Sequence, residues 1–515
     1  MFVQDPQFGT IVNYDYLRRR LHEVYDEVHP EFSLLGSTRA SDSITENHPS
    51  LAVAVGASVL AYSLIVAAEE TGMATSLKDK IFTLGWTEEH CGSDLLSVRT
   101  SATPLESEDG RTYHIKGKKW LINNSYFGDY HIVVAKIDPT QDGPRSLSLF
   151  LVPHSSTRGW ERLETHVLTH MVLTEYHIDG PGTLIGKVGH GLSIIQRMAM
   201  ASKYQCSYFG VEMVRDAVPA TIEHLSTKRI FGDNPVNFGN VFRQMYNIVL
   251  QAALMDFMFY RAIVFNGDGF LQFHGTLLKS WLLLRIHELL NQNLLVAGSK
   301  GFLKESVIGR NAIDSSVLPV FDGHYTINTL MTAKHAERYL NATQKADLAG
   351  RLELLRSEMY VATRRGEIHT HPLEIRKPPF FDYADYIEQF ELPFDFQPRQ
   401  LVSRVREMLD VLEQRGLAGN AEYNYKTGDL LHWMESVVAA CELWKVTGED
   451  NYLNVIVQQH NGLANMLNTI ISEGALDCEF VQPLRQFPIP PVDDARGFLL
   501  NLMNVEARFQ RTTTT

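Results

Sequence analysis

The chain has 515 residues, of which 44% are hydrophobic and 21% charged, a composition typical of a soluble globular protein with several domains. Its 47 basic and 60 acidic residues give a formal net charge of −13, which argues against nucleic acid and anionic membranes as partners. Cys91, Cys206, Cys441 and Cys478 lie far apart without metal-ligand spacing, and the N terminus lacks a secretory pattern. We therefore expect free thiols, no metal site and a cytoplasmic location.

Residues 1–85 are predicted to form a helical N-terminal domain. Residues 16–27 place apolar side chains on one helical face, and residues 51–68 are an uncharged run long enough to be a membrane-span candidate. That run contains small and hydroxyl residues, is followed by Glu69 and Glu70, and has no basic flank. A helix buried in a multihelical core is the favoured interpretation, so no membrane partner is expected.

Residues 86–191 show short apolar or alternating runs separated by turn residues, which predict an antiparallel β domain, a barrel or sandwich. Longer helical periods then predict a four-helix bundle at 192–341, with helices at 193–225, 240–266, 275–295 and 330–341. A helical C-terminal extension follows at 342–515, with helices at 344–364, 401–415, 430–445 and 451–472 and an irregular aromatic segment at 371–398. The predicted fold class is α+β and mostly helical.

The most informative stretch is residues 86–94, which read Trp-Thr-Glu-Glu-His-Cys-Gly-Ser-Asp. A glycine beside hydroxyl residues lets backbone N–H groups approach a bound ring or phosphate closely. The run resembles the Leu-Thr-Glu-Pro-x-Ala-Gly-Ser-Asp signature of the acyl-CoA dehydrogenase superfamily, with Glu89 in place of proline and Cys91 in place of alanine. The resemblance extends over about residues 51–340 and implies FAD as cofactor. In this stretch it implies cofactor contacts from Trp86, Thr87, Gly92 and Ser93.

A second stretch, residues 116–123, is similar to the Gly-x-Lys-x-Trp-Ile-Thr/Ser-Asn segment of that family. The resemblance places Trp120 beside the flavin ring, which needs a large apolar surface to shield it from water. Ile122 stands where the family has a hydroxyl near flavin N5, so only the backbone N–H remains there as a local donor. Taken alone, Trp120 also fits a core tryptophan on a β-strand.

The third stretch, at residues 228–232, resembles an Arg-x-x-Phe-Gly segment whose basic residue grips the diphosphate of an FAD bound mainly by the neighbouring subunit. Lys228 holds the arginine position with Arg229 beside it, and Phe231 matches the phenylalanine. The resemblance implies that Phe238 packs on the adenine side, although Gly239 replaces the expected glutamine. A solvated basic helix end is the alternative.

A fourth stretch, residues 296–302, resembles the family's Gln-x-x-Gly-Gly-x-Gly-Tyr loop, in which glycines such as Gly298 and Gly301 approach the diphosphate. Residues 321–328, reading Phe-Asp-Gly-His-Tyr-Thr-Ile-Asn, align with the family's Tyr-Glu-Gly-Thr-Ser-x-Ile-Gln. In this alignment Thr326 and Asn328 complete the expected cofactor contacts.

Asp322 occupies the position of the family's catalytic glutamate, the base that removes the α-proton of an acyl thioester. Aspartate keeps the carboxylate but is one methylene shorter. A Phe-Asp-Gly run is similar to the pattern of nitroalkane oxidases, although Thr329 stands where those proteins have arginine. A helix N-cap or a turn residue is the structural alternative for Asp322.

The resemblance implies an FAD-dependent dehydrogenase that oxidises the α,β-bond of an acyl thioester and passes electrons to an acceptor. A homodimer or homotetramer is expected because the family completes its cofactor site across a subunit interface. The short N-terminal domain and the C-terminal extension suggest an acyl group on a carrier protein in a biosynthetic pathway rather than on CoA. Two alternatives remain: an oxidase of the nitroalkane-oxidase or acyl-CoA-oxidase type, and a catalytically silent binding relative, suggested by Ile122 and Gly239.

Overall fold

The structure is a computed structural model that describes residues 1–28, 48–265, 271–364, 380–417, 419–474 and 479–504. The chain divides into two compact units, with Met1–Phe209 in the first and the chain from Gly210 onward in the second. Cys478 and residues 371–379 of the predicted aromatic segment lie outside the described residues. So do the histidine pair His369 and His371, which has too few companions in the sequence for a metal site, and the C-terminal tail at 512–515.

The first unit combines a small helical part with a β domain. Its helices are α1 (Tyr14–Val28), α2 (Pro49–Ala67), α3 (Thr71–Ser76) and the first part of α4 (Gly191–Thr227). Its strands are β1 (Phe2–Asp5), β2 (Gly9–Val12), β3 (Phe82–Gly85), β4 (Ser101–Pro104), β5 (Thr112–Asn123), β6 (Tyr130–Lys136), β7 (Leu147–Pro153), β8 (Thr157–Arg162) and β9 (Leu173–Ile185).

Strands β3 to β9 form a sheet that closes on itself. Strand β7 pairs with β9 on one side and with β6 on the other, so the order β6-β4-β5-β9-β7 returns to β6 as a barrel. The interior is filled by alternate residues of these strands, including Ile115, Val133, Phe150 and Tyr176. The predicted β domain is confirmed, but β3 and β4 run parallel to β6. Those pairs are joined by long connections rather than hairpins, which permits parallel pairing.

Helix α2 contains the long apolar run found in the sequence. Two described helices, α2 and α5 (Gly239–Val264), are long and apolar enough to cross a membrane, and 89% and 83% of their apolar windows are buried inside the protein. In α2 the Tyr62 ring stacks on Tyr25 of α1, with centroids 4.2 Å apart. Burial of this kind is typical of a core helix.

The N terminus differs from the predicted all-helical domain because it begins with a hairpin of β1 and β2. Each strand has four residues, too few to show an alternating pattern in the sequence. The turn is closed by the Asp5 carboxylate, which accepts hydrogen bonds from the backbone N–H groups of Gln7 and Phe8 at 2.8 and 2.9 Å.

The regular elements of the second unit are helices throughout its described residues, apart from one isolated β-bridge between Ile230 and Asp233. After the end of α4 and α5 come α6 (Leu271–Leu277), a π-helical turn (Leu278–Leu282), α7 (Leu283–Ala297), α8 (Val307–Asp314), α9 (Tyr325–Ala333) and α10 (Ala336–Leu340). The C-terminal region adds α11 (Leu348–Arg364), α12 (Tyr383–Glu388), α13 (Pro398–Gln414), α14 (Ala421–Thr447), α15 (Leu453–Glu473) and α16 (Ala495–Met503).

The bundle helices differ from the prediction in two places. The third predicted helix, at 275–295, is interrupted by the π-helical turn, and the fourth, at 330–341, is replaced by α9 and α10. A single extra residue in one helical turn leaves the apolar period almost unchanged, so the sequence pattern does not reveal it. Three of the four predicted C-terminal helices lie close to their predicted ranges, whereas α14 begins nine residues earlier than predicted, at Ala421. Helix α12 lies inside the segment expected to be irregular, and α16 was not predicted.

The C-terminal region is joined to the bundle by buried charges. Arg261 of α5 forms ion pairs with Glu435, at 2.7 Å, and with Glu442, both on α14. The hydroxyl groups of Tyr339 and Tyr386 donate hydrogen bonds to these two carboxylates at 2.9 and 2.7 Å. Burial raises the pKa of Glu435, but the Arg261 charge together with the contacts from His274 and Tyr339 outweighs burial and holds this pKa well below its ordinary value. Helix α14 is therefore fixed within the second unit.

Candidate functional site

In the first unit, residues 86–94 form a tight turn directly after β3. The backbone N–H groups of Glu88 and Cys91 each donate to the other residue's carbonyl oxygen, at 3.0 and 2.9 Å. Gly92 and Ser93 follow this turn and are exposed. The glycine and hydroxyl expected to approach a cofactor therefore lie at the surface of this unit, where a ligand can reach them.

A buried ion pair holds this turn against the barrel. Lys119 of β5 is wholly buried and its Nζ donates to Glu88 Oε1 at 2.9 Å and to the Val134 carbonyl oxygen at 3.1 Å. Glu88 Oε1 also accepts from the Thr100 hydroxyl at 2.6 Å, and Oε2 accepts from the Arg99 N–H at 2.9 Å. The pair thus ties the first two motif stretches together.

The charge of Glu88 is stabilised in the folded chain. Burial raises the pKa of its carboxyl, but the Lys119 ammonium and hydrogen bonds from Lys119, Thr100 and Arg99 outweigh burial and lower that pKa below its ordinary value. Because the folded-state pKa is lowered, this carboxylate contributes stability above its unfolded pKa. That contribution is lost as the pH falls through the folded-state pKa.

The second motif stretch contains a β-bulge. Between Lys119 and Ile122 the register with β9 shifts, and Leu121 takes a left-handed φ of 55°. Ile122 is buried in the barrel core, whereas Trp120 is half-buried and its backbone N–H donates to the Thr87 carbonyl oxygen at 3.0 Å. The bulge thus separates Trp120 from the residues that fill the barrel.

Trp86, the first residue of the motif, has a buried indole Nε1 with no hydrogen-bond partner among the described residues. An unmet buried donor of this kind is costly, and a bound group that offers an acceptor would satisfy it. Other buried side-chain atoms of the first unit also lack a partner among the described residues, for example Trp160 Nε1, but within residues 86–94 the unmet atom is that of Trp86.

Glu88, His90 and Cys91 bring three potential metal-ligand atoms within 4.8 Å of one another. Glu88 already binds Lys119 and Thr100. Burial, followed by the charge of Glu88, raises the pKa of the Cys91 thiol, which disfavours the thiolate that a metal needs. Their contacts therefore fit a structural turn better than a metal site.

In the second unit, residues 228–233 form a surface hairpin after α4. Ile230 and Asp233 pair as a β-bridge, and the Arg229 guanidinium donates to the Gly232 carbonyl oxygen at 3.0 Å. Phe231 at the tip is 98% exposed with a φ of 51°. Lys228 is exposed too, and Phe238 is the half-buried N-cap residue of α5.

The glycines at 298 and 301 each have a local structural role. Gly298 ends α7 with a φ of 65°. Gly301 is buried, and a Cβ there would lie 2.1 Å from the Leu294 side chain. A Cβ at Gly309 of α8 would in turn lie 1.8 Å from the Gly301 carbonyl oxygen. These contacts alone account for the glycines, so the diphosphate role inferred for them stays a prediction.

Asp322 and Gly323 form a left-handed turn, with φ values of 53° and 93°, immediately before α9. Asp322 is half-buried. The N-cap of α9 is His324, whose Nδ1 accepts from the Thr326 N–H at 3.3 Å, so the N-cap alternative for Asp322 is wrong. The Asn328 amide donates to the carbonyl oxygens of Gly323 and His324 at 3.0 and 3.2 Å and closes the turn.

A buried lysine holds the segment before this turn. Lys279 lies in the π-helical turn, where its Nζ donates to the Leu318 carbonyl oxygen and lies 4.6 Å from the centre of the Phe321 ring. The motif stretches gave no indication of these roles for Lys279, Glu88 or Lys119. For Lys279 a signal was available, because a lysine inside the apolar run at 277–284 is unusual unless it has a buried partner.

Sequence comparison finds part of this chain similar to a known family. Residues 83–176 match the family model "Acyl-CoA dehydrogenase, middle domain". The mitochondrial very long-chain specific acyl-CoA dehydrogenase of Mus musculus is 23% identical over 261 residues, which cover 48% of this chain and 39% of that protein. The putative acyl-CoA dehydrogenase AidB of Escherichia coli is 32% identical over 162 residues, covering 30% and 28%. The matched part of this chain thus spans 39% of the length of the first relative and 28% of the length of the second.

The structural likeness is broader. The crystal structure of acyl-CoA dehydrogenase complexed with FAD from Bacillus anthracis matches with a TM-score of 0.66 and 16% identity, covering 97% of this chain and 89% of that one. The chain has the acyl-CoA dehydrogenase fold. The acyl-CoA dehydrogenase from Geobacillus kaustophilus matches with a TM-score of 0.57 and 18% identity, covering 63% of this chain and 90% of its own. Because the Bacillus anthracis match covers 97% of this chain, it includes helices of the C-terminal region as well as the β domain and the bundle.

We predict that Glu88→Gln destabilises the protein by about 3 kcal/mol, because the buried Lys119 charge loses its counter-charge. Glu89→Gln is the matched control, since Glu89 is adjacent and exposed, and its effect should stay within about 0.5 kcal/mol. Urea unfolding of both variants at neutral pH gives the comparison. Equal midpoints for the two variants would show that the ion pair does not hold the turn.

Proposed function

We propose that this protein is an FAD-dependent acyl-thioester dehydrogenase in which Asp322 is the general base. Bound FAD would accept the hydride from the β-carbon, while the Asp322 carboxylate accepts the proton from the α-carbon. The observation that carries the proposal is the Asp322–Gly323 turn, which fixes a carboxylate in an uncommon backbone conformation at the start of α9. The relatives named acyl-CoA dehydrogenases support the same reaction.

Three of the residues proposed to hold FAD, Trp86, Trp120 and Arg229, have surroundings that support this role. The unmet indole N–H of Trp86 is available to an acceptor on the cofactor, and Trp120 lies outside the barrel core. Arg229 is exposed on its hairpin and suits a phosphate oxygen. The full proposed set is Trp86, Thr87, Gly92, Ser93, Trp120, Ile122, Lys228, Arg229, Phe231, Phe238, Gly298, Gly301, Thr326 and Asn328.

Dehydrogenation is favoured over the oxidation of nitroalkanes by the surroundings of Thr329, which stands where the oxidase pattern has arginine. Thr329 is buried, and its hydroxyl donates to the Tyr325 carbonyl oxygen at 3.0 Å. A Cβ on Gly428 of α14 would lie 2.1 Å from the Thr329 carbonyl oxygen. The packing at this position suits a short side chain and supports the dehydrogenase.

The proposed base is tested by Asp322→Asn, which keeps the size of the side chain and removes the proton acceptor. With substrate under anaerobic conditions, wild-type protein should bleach its flavin absorbance. The variant should bind flavin normally and bleach at least 1,000-fold more slowly, roughly the upper range for general-base catalysis. Glu305→Gln, at an exposed position, is the control and should match wild type.

Asp322→Glu adds a further test, because it restores the residue usual in the family. Retention of bleaching by this variant would agree with a carboxylate base. Full bleaching by Asp322→Asn would instead show that another group removes the proton.

Rapid consumption of dioxygen by the reduced wild-type protein would favour the oxidase alternative.

We propose a carrier protein as the natural holder of the acyl group in a biosynthetic pathway, on the basis of the C-terminal extension. The Bacillus anthracis structure, which is titled an acyl-CoA dehydrogenase, matches over 97% of this chain, so the choice of carrier depends on a direct comparison of the two thioesters. The test compares flavin reduction by one acyl group on a carrier protein and on CoA. Faster reduction by the carrier thioester is expected, and equal or faster reduction by the CoA ester would contradict it.

We also propose that the protein is a homodimer or homotetramer. Large apolar side chains are exposed on the second unit in or beside two of the motif stretches: Phe231 is 98%, Leu295 74% and Phe302 72% exposed. Sedimentation velocity should show a dimer or tetramer for wild type and a shift toward monomer for Phe231→Asp. A monomeric wild-type protein at micromolar concentration would contradict this proposal.

A further inference from the structure

Helix α14 of the C-terminal region packs directly on α9, the helix that begins just after the Asp322–Gly323 turn. The two backbones touch at Gly428, where an added Cβ would lie 2.1 Å from the Thr329 carbonyl oxygen and 3.0 Å from its carbonyl carbon. Neither backbone atom can move aside alone. The position of α9 is therefore set by α14.

A buried chain of hydrogen bonds crosses the same contact. His432 of α14 is wholly buried, and its Nε2 lies 2.9 Å from the Thr332 hydroxyl of α9. The Thr332 hydroxyl is positioned to donate to the Thr276 hydroxyl at 2.8 Å or to the Asn328 carbonyl oxygen at 3.2 Å. The hydroxyl has one proton, and when Thr332 donates it to Thr276 or Asn328, the His432 Nε2 atom carries a hydrogen and donates to Thr332.

This chain leads to the turn that carries Asp322. Asn328, which accepts from Thr332 through its carbonyl oxygen, donates from its side-chain amide to the Gly323 carbonyl oxygen at 3.0 Å. Asp322 and Gly323 are both left-handed and lie within three residues of the start of α9, so the position of α9 constrains the backbone that carries the Asp322 carboxylate. On the opposite side Lys279 fixes the preceding segment through the Leu318 carbonyl oxygen.

We propose that His432 is a positioning residue for Asp322, acting through Thr332 and Asn328, so that the C-terminal helix α14 is a working part of the dehydrogenase. This inference rests on the proposed function. His432 itself would touch neither substrate nor cofactor; its role is to hold the helix from which the base is presented. The C-terminal region thereby gains a specific role in the proton-transfer step.

The test uses two substitutions at His432 and a matched control. His432→Leu keeps an apolar bulk and removes the N–H donor, whereas His432→Gln keeps an amide N–H at a similar reach. His460→Leu is the control, because His460 is also buried, on α15, and its contacts are with Asn461 at 3.3 Å and with the edge of the Phe396 ring. Any general loss of stability is expected in both leucine variants.

In anaerobic stopped-flow experiments with a saturating acyl thioester, His432→Leu should reduce its flavin about tenfold more slowly than wild type. A tenfold change is at the upper range for one net hydrogen bond. The thioester concentration for half-maximal rate should stay unchanged, because the substrate contacts are intact. His432→Gln should recover to within about threefold of wild type, and His460→Leu should match wild type.

Amide hydrogen exchange gives a readout that does not depend on activity. Peptides covering residues 321–333 should exchange faster in His432→Leu than in wild type or His460→Leu. Gly428→Ala should also speed exchange in these peptides, because the added Cβ displaces α9. Gly419→Ala is its control, since a Cβ at Gly419 meets nothing within 4 Å.

The inference would be overturned by an unchanged rate of flavin reduction in His432→Leu. It would also be overturned if hydrogen exchange in residues 321–333 were the same in His432→Leu and wild type. An equal slowing in His460→Leu would also overturn it, by showing a general effect of destabilisation. Absence of flavin reduction in wild type with every thioester would overturn the proposed function instead. The exchange rates would then decide separately whether α14 holds the turn.

Discussion

The buried pair of Glu88 and Lys119 is the interaction on which the first unit's candidate site depends. It joins the turn after β3 to β5, and through Thr100 and Val134 it reaches β6 and the segment before β4. Two charges removed from water are favourable only while each has its partner and its hydrogen bonds. The pair therefore makes the local arrangement of residues 86–94 conditional on the barrel being correctly formed.

The second unit uses the same principle with different groups. Lys279 in the π-helical turn, His432 on α14 and the Asn328 amide on α9 are all buried, and each is directed at backbone or hydroxyl oxygen atoms near residues 318–332. An unusual helical turn and a left-handed non-glycine residue are costly to keep, so the surrounding contacts must specify them fully. The Asp322 turn thus has the features expected of a site that presents a catalytic group.

The sequence predicted the coarse architecture because its signals are local. The change of hydrophobic period marked the β domain, and the ranges of most long helices follow from their apolar faces. The four-residue strands β1 and β2, the π-helical turn and the bulge at Leu121 escaped prediction because none of them changes a period over a long enough window. The family resemblance, carried mainly by residues 86–94, gave the domain order.

The candidate site was predicted residue by residue, but its supporting contacts were not. The motif stretches named Trp120 and Asp322, whereas the pairing of Lys119 with Glu88 and of His432 with Thr332 joins residues 31 and 100 positions apart. Such pairs are set by tertiary packing, and a single sequence contains no signal for them. The N-cap is a smaller example: the sequence offered Asp322 as a candidate N-cap, and the structure has His324 in that position.

The central claim is that this fold holds FAD in the purified protein. The most direct measurement is the visible absorption spectrum of the protein after removal of free flavin by gel filtration, together with release of the cofactor by heat denaturation. The account predicts a yellow protein that releases FAD at close to one molecule per chain. A colourless protein that takes up no added FAD, although correctly folded, would contradict it.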